Sequence, residues 1–155
     1  MSVTVFNGLG ELPLFNPDHE AHPSGNVARF RSLVADADAL LIASPEYAHG
    51  MTGTIKNALD WLVPFEPLAS KPVAVLNSSQ RAFHADVALR EVLRTMAAVI
   101  VEPASVTIPL LGTKLDEDGM VSSPSVANAI QGSLAALYET VALRRALAMA
   151  ALPRT

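Results

Sequence analysis

Two short apolar runs constrain the fold of this chain most strongly. Ala39–Ala43 and Pro72–Leu76 contain no polar residue, and each is followed by a polar loop and then by a helical pattern. A continuous apolar run of this length predicts a strand that is buried on both faces, as in a parallel sheet. Such strands in alternation with helices predict a doubly wound α/β domain.

The remaining patterns supply the other alternating elements. The predicted strands and extended segments are Val3–Phe6, Ala39–Ala43, Pro72–Leu76, Val99–Val101 and Ser105–Ile108. The first predicted helix begins at Ser24 or Asn26 and ends at Asp36–Asp38. The next two are predicted at Thr54–Leu62 and His84–Ala98, and the last runs from Ser123-Pro124 to about Met149. A turn is predicted at Asp116–Gly119.

Length and charge narrow the class of protein. A chain of 155 residues fits a single domain, 1–155. The net charge is −4 without a run of Lys or Arg, which argues against a nucleic-acid or anionic membrane partner. The chain has no cysteine, so thiolate catalysis and zinc–thiolate sites are excluded. The start lacks signal-peptide features and no run approaches the ~18 apolar residues of a membrane span, so we expect a cytoplasmic protein.

Charged residues make up 17% of the chain, less than in most globular proteins. This deficit suggests that part of the surface is covered by another subunit. We therefore expect a homodimer or homotetramer built on the helices that start near Thr54 and His84.

The loop Ser44–Gly53 follows the first apolar run, at the strand end where open parallel sheets bind ligands. Gly50 and Gly53 let the backbone approach a flat ligand, and Tyr47 offers a ring face and a hydroxyl. N–H groups at the next helix start favour electron-rich atoms. These features suit an aromatic heterocycle with carbonyl oxygens, but an ordinary turn with a buried tyrosine fits the same residues.

A longer motif includes this loop. Pro45–Tyr47, Gly53 and Lys56–Trp61 resemble, in order, the signature of the NAD(P)H-dependent FMN reductase family. Leu12–Asp18 resembles the family's loop after its second strand, and Leu115–Gly119 resembles its turn before the last helix. The resemblance therefore covers nearly the whole chain. It implies a flavodoxin-like fold with three layers and an oxidoreductase related to quinone, azo and chromate reductases.

The resemblance also implies the cofactor and its site. FMN would be reduced by NADPH or NADH and would pass electrons to a small-molecule acceptor: a quinone, an azo compound, a metal oxyanion or a flavin. The cofactor does this chemistry, so no catalytic side chain is named. The flavin ring would lie against the first loop, whose implied contacts are Pro45, Glu46, Tyr47, Ala48, His49 and Gly50.

The loop that begins at Asn77 lies at the pyrimidine end of the flavin in the family. Ser78, Ser79 and Gln80 offer donors for the flavin carbonyl oxygens. Arg81 would either stabilise the reduced flavin or a nicotinamide phosphate, or remain a solvated loop charge. No metal site is expected, because His19 and His22 lack a third well-placed ligand.

The family begins with a strand, a phosphate-binding Gly-Ser-x-Arg-x-x-Ser-x-Asn loop and a helix, and nothing in this sequence matches them. Val3–Phe6 resembles the family's second strand instead, so the expected fold lacks its first βα unit and should hold FMN weakly. The alternative is a non-catalytic truncated remnant or an oligomerisation module without tight flavin binding.

Two further residues have two interpretations each: Trp61 belongs to the core or to an interface, and Lys56 forms a surface pair with Asp60 or contacts a subunit.

Overall fold

A parallel three-stranded sheet lies at the centre of the computed structural model, which describes residues 1–151. The strands are β1 (Leu40–Ala43), β2 (Glu46–Tyr47), β3 (Gly50–Met51), β4 (Pro72–Leu76) and β5 (Val99–Ile100). The helices are α1 (Gly25–Asp36), α2 (Gly53–Leu62), α3 (Phe83–Thr95), α4 (Glu117–Ser122) and α5 (Pro124–Ala150). The strand order is β1-β4-β5, while β2 and β3 form a separate antiparallel hairpin. Residues 152–155, which the domain prediction includes, lie outside the described residues.

Helices cover both faces of the sheet. Successive side chains of a strand point to opposite faces, so Val73 and Val75 share one face and Ala74 lies on the other. The first face forms the main core with α1, α2 and α3. On the second face Ala74 packs with Val101, Ala104 and Leu137 of α5. This arrangement confirms the predicted three-layer α/β fold.

The strand β1 has exposed side chains on one sheet face, at Leu41 and Ala43, which corrects the prediction that it is buried on both faces. It pairs with β4 alone, from Leu40 opposite Val73 to Ala43 opposite Leu76. Leu41 is 39% exposed, although it shares a sheet face with the fully buried Ala74. An apolar run indicates strand tendency, but the neighbours that cover it are set by tertiary structure. By contrast, β4 is buried at four of its five positions, as predicted.

The prediction of a strand at Val3–Phe6 is wrong. This segment forms no ladder, and Val3 and Val5 are exposed. Only Phe6 is anchored, by ring packing against Phe30 of α1 at a centroid distance of 5.0 Å. A β-strand needs a hydrogen-bonded neighbour, and no described strand pairs with this segment.

The predicted turn at Asp116–Gly119 is the start of α4. A carboxylate oxygen of Asp116 accepts a hydrogen bond from the Gly119 N–H at 2.8 Å, which is an N-cap. The Asp-Glu-Asp-Gly sequence has turn composition, but the same residues favour a helix start when an Asp can cap it. The short helix then leads directly into α5.

The end of α1 is held by a lysine that directly precedes β4. Lys71 donates from Nζ to the carbonyl oxygens of Ala35, at 3.1 Å, and Ala37. Burial lowers the pKa of the Lys71 ammonium, although the negative charges of Asp38 and Asp36 act in the opposite direction.

Among the described helices, none combines the length and the apolar character that a membrane crossing requires.

Candidate functional site

The two loops predicted to bind a ligand lie at the same edge of the sheet. Strands β1 and β4 are parallel neighbours, with Ala43 opposite Leu76 at their carboxyl ends. The loop 44–53 leaves the first strand and the loop 77–82 leaves the second. The sheet register therefore brings both loops together where open α/β sheets bind ligands.

The first loop contains the β2–β3 hairpin, which turns sharply at Ala48 and His49. Both residues have positive φ, 49° and 62°. A two-residue hairpin of this kind is a type I′ turn, which Asn-Gly fits best. Tyr47 precedes the turn and is 69% exposed, so the interpretation of a buried tyrosine is wrong.

The strained turn gives a stability prediction. Ala48→Gly is expected to raise the free energy of unfolding by roughly 0.5–1 kcal/mol, because glycine adopts positive φ without a steric penalty. Chemical denaturation measures the change. Ala28→Gly, at an exposed position inside α1, is the matched control and should lower stability by about 1 kcal/mol. Equal losses in both variants would contradict the assignment of strain to Ala48.

Glu46 ties the hairpin to the start of α3. Its Oε2 accepts a hydrogen bond from the Ala85 N–H at 2.8 Å, while the N-cap residue Ala82 offers no capping side chain. The imidazole rings of His49 and His84 lie beside this link, with centroids 4.5 Å apart. Glu46 therefore acts as a cap supplied from another loop, with its negative charge at the positive end of the helix.

Removing this cap is expected to cost stability. Glu46→Ala should lower the free energy of unfolding by about 0.5–2 kcal/mol, since it leaves the first turn of α3 without its acceptor. Glu46→Gln keeps an acceptor oxygen and should lose less. Thermal unfolding of the two variants against wild type measures both effects, and identical losses would show that no hydrogen bond at this position matters.

The second loop is organised by Asn77. Its Oδ1 accepts from the Ser79 N–H at 3.0 Å, and its Nδ2 donates to the Ala82 carbonyl oxygen at 3.0 Å. The Ser79 hydroxyl oxygen accepts from the Arg81 N–H at 3.1 Å. Sequence reasoning did not include Asn77 in the site. An asparagine directly after a buried strand is the available signal, since its side chain readily forms local turns.

The outer face of this loop carries open donors. Ser78, Gln80 and Arg81 are exposed, and Ser79 is half-buried. Within residues 1–151, the backbone N–H groups of Ser78 and Gln80 donate to no protein acceptor. Two unsatisfied donors on an open surface can bind carbonyl oxygens of a ligand.

The space beneath the loops is small. A cavity of about 10 Å³ is lined in part by Ser44, Asn77 and Asp86, which leaves room for at most about one water molecule. Neither Tyr47 nor Gln80 lines it. This cavity is too small for a flat ligand that contacts both loops, which leaves their open side as the candidate surface. No group of three or more His, Asp or Glu side chains in residues 1–151 is placed to hold a metal ion.

The acidic group on the cavity wall is neutralised by an arginine. Arg90 donates from Nε to Asp86 and from a terminal nitrogen to Glu102, both at 2.7 Å. Burial alone would lower the pKa of the Arg90 guanidinium, but the hydrogen bonds and charges of Asp86 and Glu102 outweigh burial and raise it. Asp86 is thus engaged in an ion pair and is not available as a base.

The signature residues of α2 hold the loop that follows Val3–Phe6. Asn57 accepts from the Phe15 N–H at 2.8 Å and donates to the Pro13 carbonyl oxygen at 3.0 Å. The Trp61 indole N–H donates to the same carbonyl at 2.8 Å, and the Phe15 ring meets the indole edge to face. Trp61 is 1% exposed, so it belongs to the core and not to an interface. Much of this motif therefore has a structural role beside the ligand loop.

The charged residues near Trp61 have separate roles. Arg31 donates twice to the Trp61 carbonyl oxygen, at 2.8 and 3.0 Å, and lies over the Phe65 ring. Lys56 and Asp60 form an ion pair on the surface of α2. Both side chains of that pair are partly exposed, which matches the surface-pair interpretation.

The fold and the loops define a flavodoxin-like class: a parallel sheet between helical layers, with an exposed aromatic residue at the strand ends. The sequence model of the NADPH-dependent FMN reductase family matches residues 1–111, and the chain belongs to this family.

Relatives of known class span most of the chain. It is 35% identical over 144 residues to an NAD(P)H-dependent FMN reductase of Pseudomonas aeruginosa, covering 88% of this chain and 77% of the relative. It is 28% identical to the quinone reductase of Escherichia coli K12, covering 91% and 79%. The structure is similar to FerB, a flavoenzyme NAD(P)H:(acceptor) oxidoreductase from Paracoccus denitrificans, with a TM-score of 0.66 and 26% identity, covering 86% and 76%.

These similarities confirm four predictions: the family, the fold class, FMN with NAD(P)H as co-substrate, and the activity of an FMN-dependent oxidoreductase. They support an enzyme and not the non-catalytic alternative. The predicted contacts of individual residues with the flavin, and the oligomeric state, remain predictions.

Proposed function

We propose that the chain passes electrons from NAD(P)H through FMN to a quinone, with the flavin ring on the open side of the loops 44–53 and 77–82. The observations that support this proposal are the exposed ring of Tyr47 on one loop and the open N–H groups of Ser78 and Gln80 on the loop that leaves the neighbouring parallel strand. An aromatic face and unsatisfied donors are the groups that a flat heterocycle with carbonyl oxygens requires.

The chemical groups that these loops present fit the flavin ring of FMN. Tyr47 would stack on one face of the ring, and the Ser78 and Gln80 N–H groups would donate to its carbonyl oxygens. When bound, FMN supplies the acceptance of hydride and the onward transfer of electrons. The protein supplies position, because the Glu46 carboxylate and the packing of the His49 and His84 rings hold the hairpin against α3.

The other predicted contacts would complete the same surface. Pro45 directly precedes the hairpin, Ala48, His49 and Gly50 lie on it, and the Ser79 hydroxyl lies on the second loop. Arg81 is exposed at the end of that loop, where its charge would favour an anionic reduced ring or a nicotinamide phosphate.

A weaker apparent affinity for NADPH in Arg81→Gln, with unchanged affinity for NADH, would identify the phosphate as its partner.

The names of the relatives favour a quinone as acceptor. Besides the E. coli quinone reductase, a 2-hydroxy-1,4-benzoquinone reductase of a Burkholderia species is 31% identical over 132 residues. An open surface also suits a flat acceptor, which can reach the ring without entering a closed cavity.

A steady-state assay tests the acceptor. The protein is supplied with FMN and either NADPH or NADH, and the rates with a benzoquinone, an azo dye, a metal oxyanion and free FMN are compared at equal concentration. The proposal predicts the highest rate with the quinone. A higher rate with any of the other three would replace the quinone as the proposed acceptor.

We further propose that the protein is a homo-oligomer, a dimer or tetramer, and that it works in the cytoplasm. The low charged fraction and the exposed apolar side chains support the first point. The use of a nicotinamide co-substrate supports the second. Light scattering at micromolar concentration tests the first, and a stable monomer would contradict it.

A further inference from the structure

Three aromatic rings form a second exposed surface beside the candidate flavin loops. The His49 ring, at the turn of the hairpin, packs against the His84 ring with centroids 4.5 Å apart and ring planes inclined by 42°. The Phe83 ring meets the His84 ring edge to face, with centroids 5.7 Å apart. Both histidines are exposed, and Phe83 is 63% exposed. These three side chains, called the aromatic strip below, connect the hairpin to the start of α3.

The strip has more aromatic surface than the packing of the protein uses. The contact between the two imidazole rings helps to hold the hairpin, but Phe83 belongs to neither hydrophobic core cluster of the described residues. A single exposed apolar side chain is common on protein surfaces. A ring that lies next to two other exposed rings, where open α/β sheets bind ligands, is instead typical of a binding surface.

The strip also carries polar groups that are open to a ligand. An imidazole ring has at least one N–H donor in either protonation state. Within residues 1–151, no ring nitrogen of His49 or His84 donates to a protein acceptor or pairs with a carboxylate. The strip therefore combines an aromatic face with donors for a ligand oxygen.

The charges around the strip favour an anionic oxygen. Arg81 is exposed in the loop just before the strip, and it forms no ion pair among the described residues. The carboxylates of the adjoining segments are engaged elsewhere. Glu46 accepts from the Ala85 N–H at 2.8 Å, and Asp86 pairs with Arg90 at 2.7 Å. An anionic oxygen on the strip thus meets open N–H donors, with an unpaired guanidinium on the adjoining loop.

We propose that the aromatic strip binds the electron acceptor, and that it selects a flat quinone with an ionised oxygen over a neutral quinone of the same ring size. The proposal rests on the proposed function and names the residues that choose the acceptor. The proposed flavin surface has its own aromatic face in Tyr47 and its own donors in the N–H groups of Ser78 and Gln80. A second aromatic surface with a second set of donors suits a second flat molecule. Phe83 supplies its stacking face, and the imidazole N–H groups hold the anionic oxygen.

Equilibrium dialysis of two quinones tests the proposal without turnover. The probes are 2-hydroxy-1,4-naphthoquinone, whose hydroxyl group is ionised at neutral pH, and the neutral 1,4-naphthoquinone. The protein is kept oxidised, without NAD(P)H, and FMN is present at the same saturating concentration on both sides of the membrane. Wild type should bind the ionised quinone at least about tenfold more tightly, because a hydrogen bond to a charged oxygen is stronger than one to a neutral oxygen.

Two variants separate the ring from the donors. Phe83→Ala should raise the dissociation constants of both quinones about 3- to 10-fold, since the stacking face is lost. His84→Phe keeps a ring beside His49 but removes the N–H donors, and should raise only the dissociation constant of the ionised quinone, about tenfold. Tyr138→Ala, which removes an exposed ring from α5, is the control and should change neither value. Circular dichroism verifies that the variants remain folded.

Other outcomes would assign the strip differently. If Phe83→Ala weakened the binding of FMN, or of NADPH and NADH, as much as that of the quinones, the strip would belong to the flavin or the nicotinamide, and the proposal would be overturned. Equal affinity of wild type for both quinones would overturn the selection by charge. A protein that reduces quinones, while both variants bind them like wild type, would overturn the strip alone. A flavin that neither NADPH nor NADH reduces would overturn the proposed function together with this proposal.

Discussion

Trp61→Ala is expected to lower the free energy of unfolding by about 3–5 kcal/mol, a large part of the stability of a domain this size. The indole is buried, its N–H is bonded to the Pro13 carbonyl oxygen, and its ring supports Phe15. The variant removes all three interactions and leaves a cavity between α2 and the loop before α1. Urea unfolding followed by circular dichroism measures the loss.

Two further variants separate the causes of this loss. Trp61→Phe keeps an aromatic ring but loses the N–H donor, and should cost about 1–2 kcal/mol. Leu14→Ala removes an exposed side chain between Pro13 and Phe15 and should change stability by less than about 0.5 kcal/mol. If Leu14→Ala cost as much as Trp61→Ala, the loop would be held by contacts other than those of the indole.

Tyr47→Ala is expected to weaken FMN binding about 10- to 100-fold, the usual effect of losing one aromatic stacking partner. The side chain is exposed, so the loss of stability should be small and the effect should fall on binding. Titration of FMN, followed by quenching of its fluorescence, measures the dissociation constant. Tyr47→Phe should stay close to wild type, because the ring is kept.

The chain offers a matched control for this variant. Tyr138 is the only other tyrosine and is also exposed, but it lies on α5, away from both loops. Tyr138→Ala should leave FMN affinity unchanged. Equal affinities of Tyr47→Ala and wild type would mean that the ring of the flavin does not rest on the hairpin.

A strand could be predicted from the sequence where burial on both of its faces determines its residues. The bounds of β4 are as predicted, because a central strand covered on both faces needs apolar residues at nearly every position. Val3–Phe6 also has a strand-forming composition, with β-branched and aromatic residues, but forms no strand, since pairing depends on a neighbour that composition does not reveal. The exposed face of β1 was missed because the elements that cover a strand are likewise not revealed by its composition.

The site was predictable at the level of loops and not of contacts. The rule that ligands bind at the carboxyl ends of parallel strands selected the loops after Ala43 and Leu76, and the sheet register brings them together. The cap that Glu46 supplies to α3 links residues 39 positions apart. Likewise, Trp61 reaches Pro13 over 48 positions. Local sequence patterns carry no information about such pairs, because tertiary structure alone sets their distance.

One measurement tests the central claim, that this chain holds FMN so that NAD(P)H reduces it and a quinone reoxidises it. The protein is mixed with FMN without oxygen, NADPH or NADH is added, and the visible absorption band of the flavin is followed before a benzoquinone is added. We predict that the band bleaches much faster than that of the same FMN concentration without protein, and that it returns on addition of the quinone. A bleaching rate equal to that of free FMN, with both co-substrates, would contradict the account.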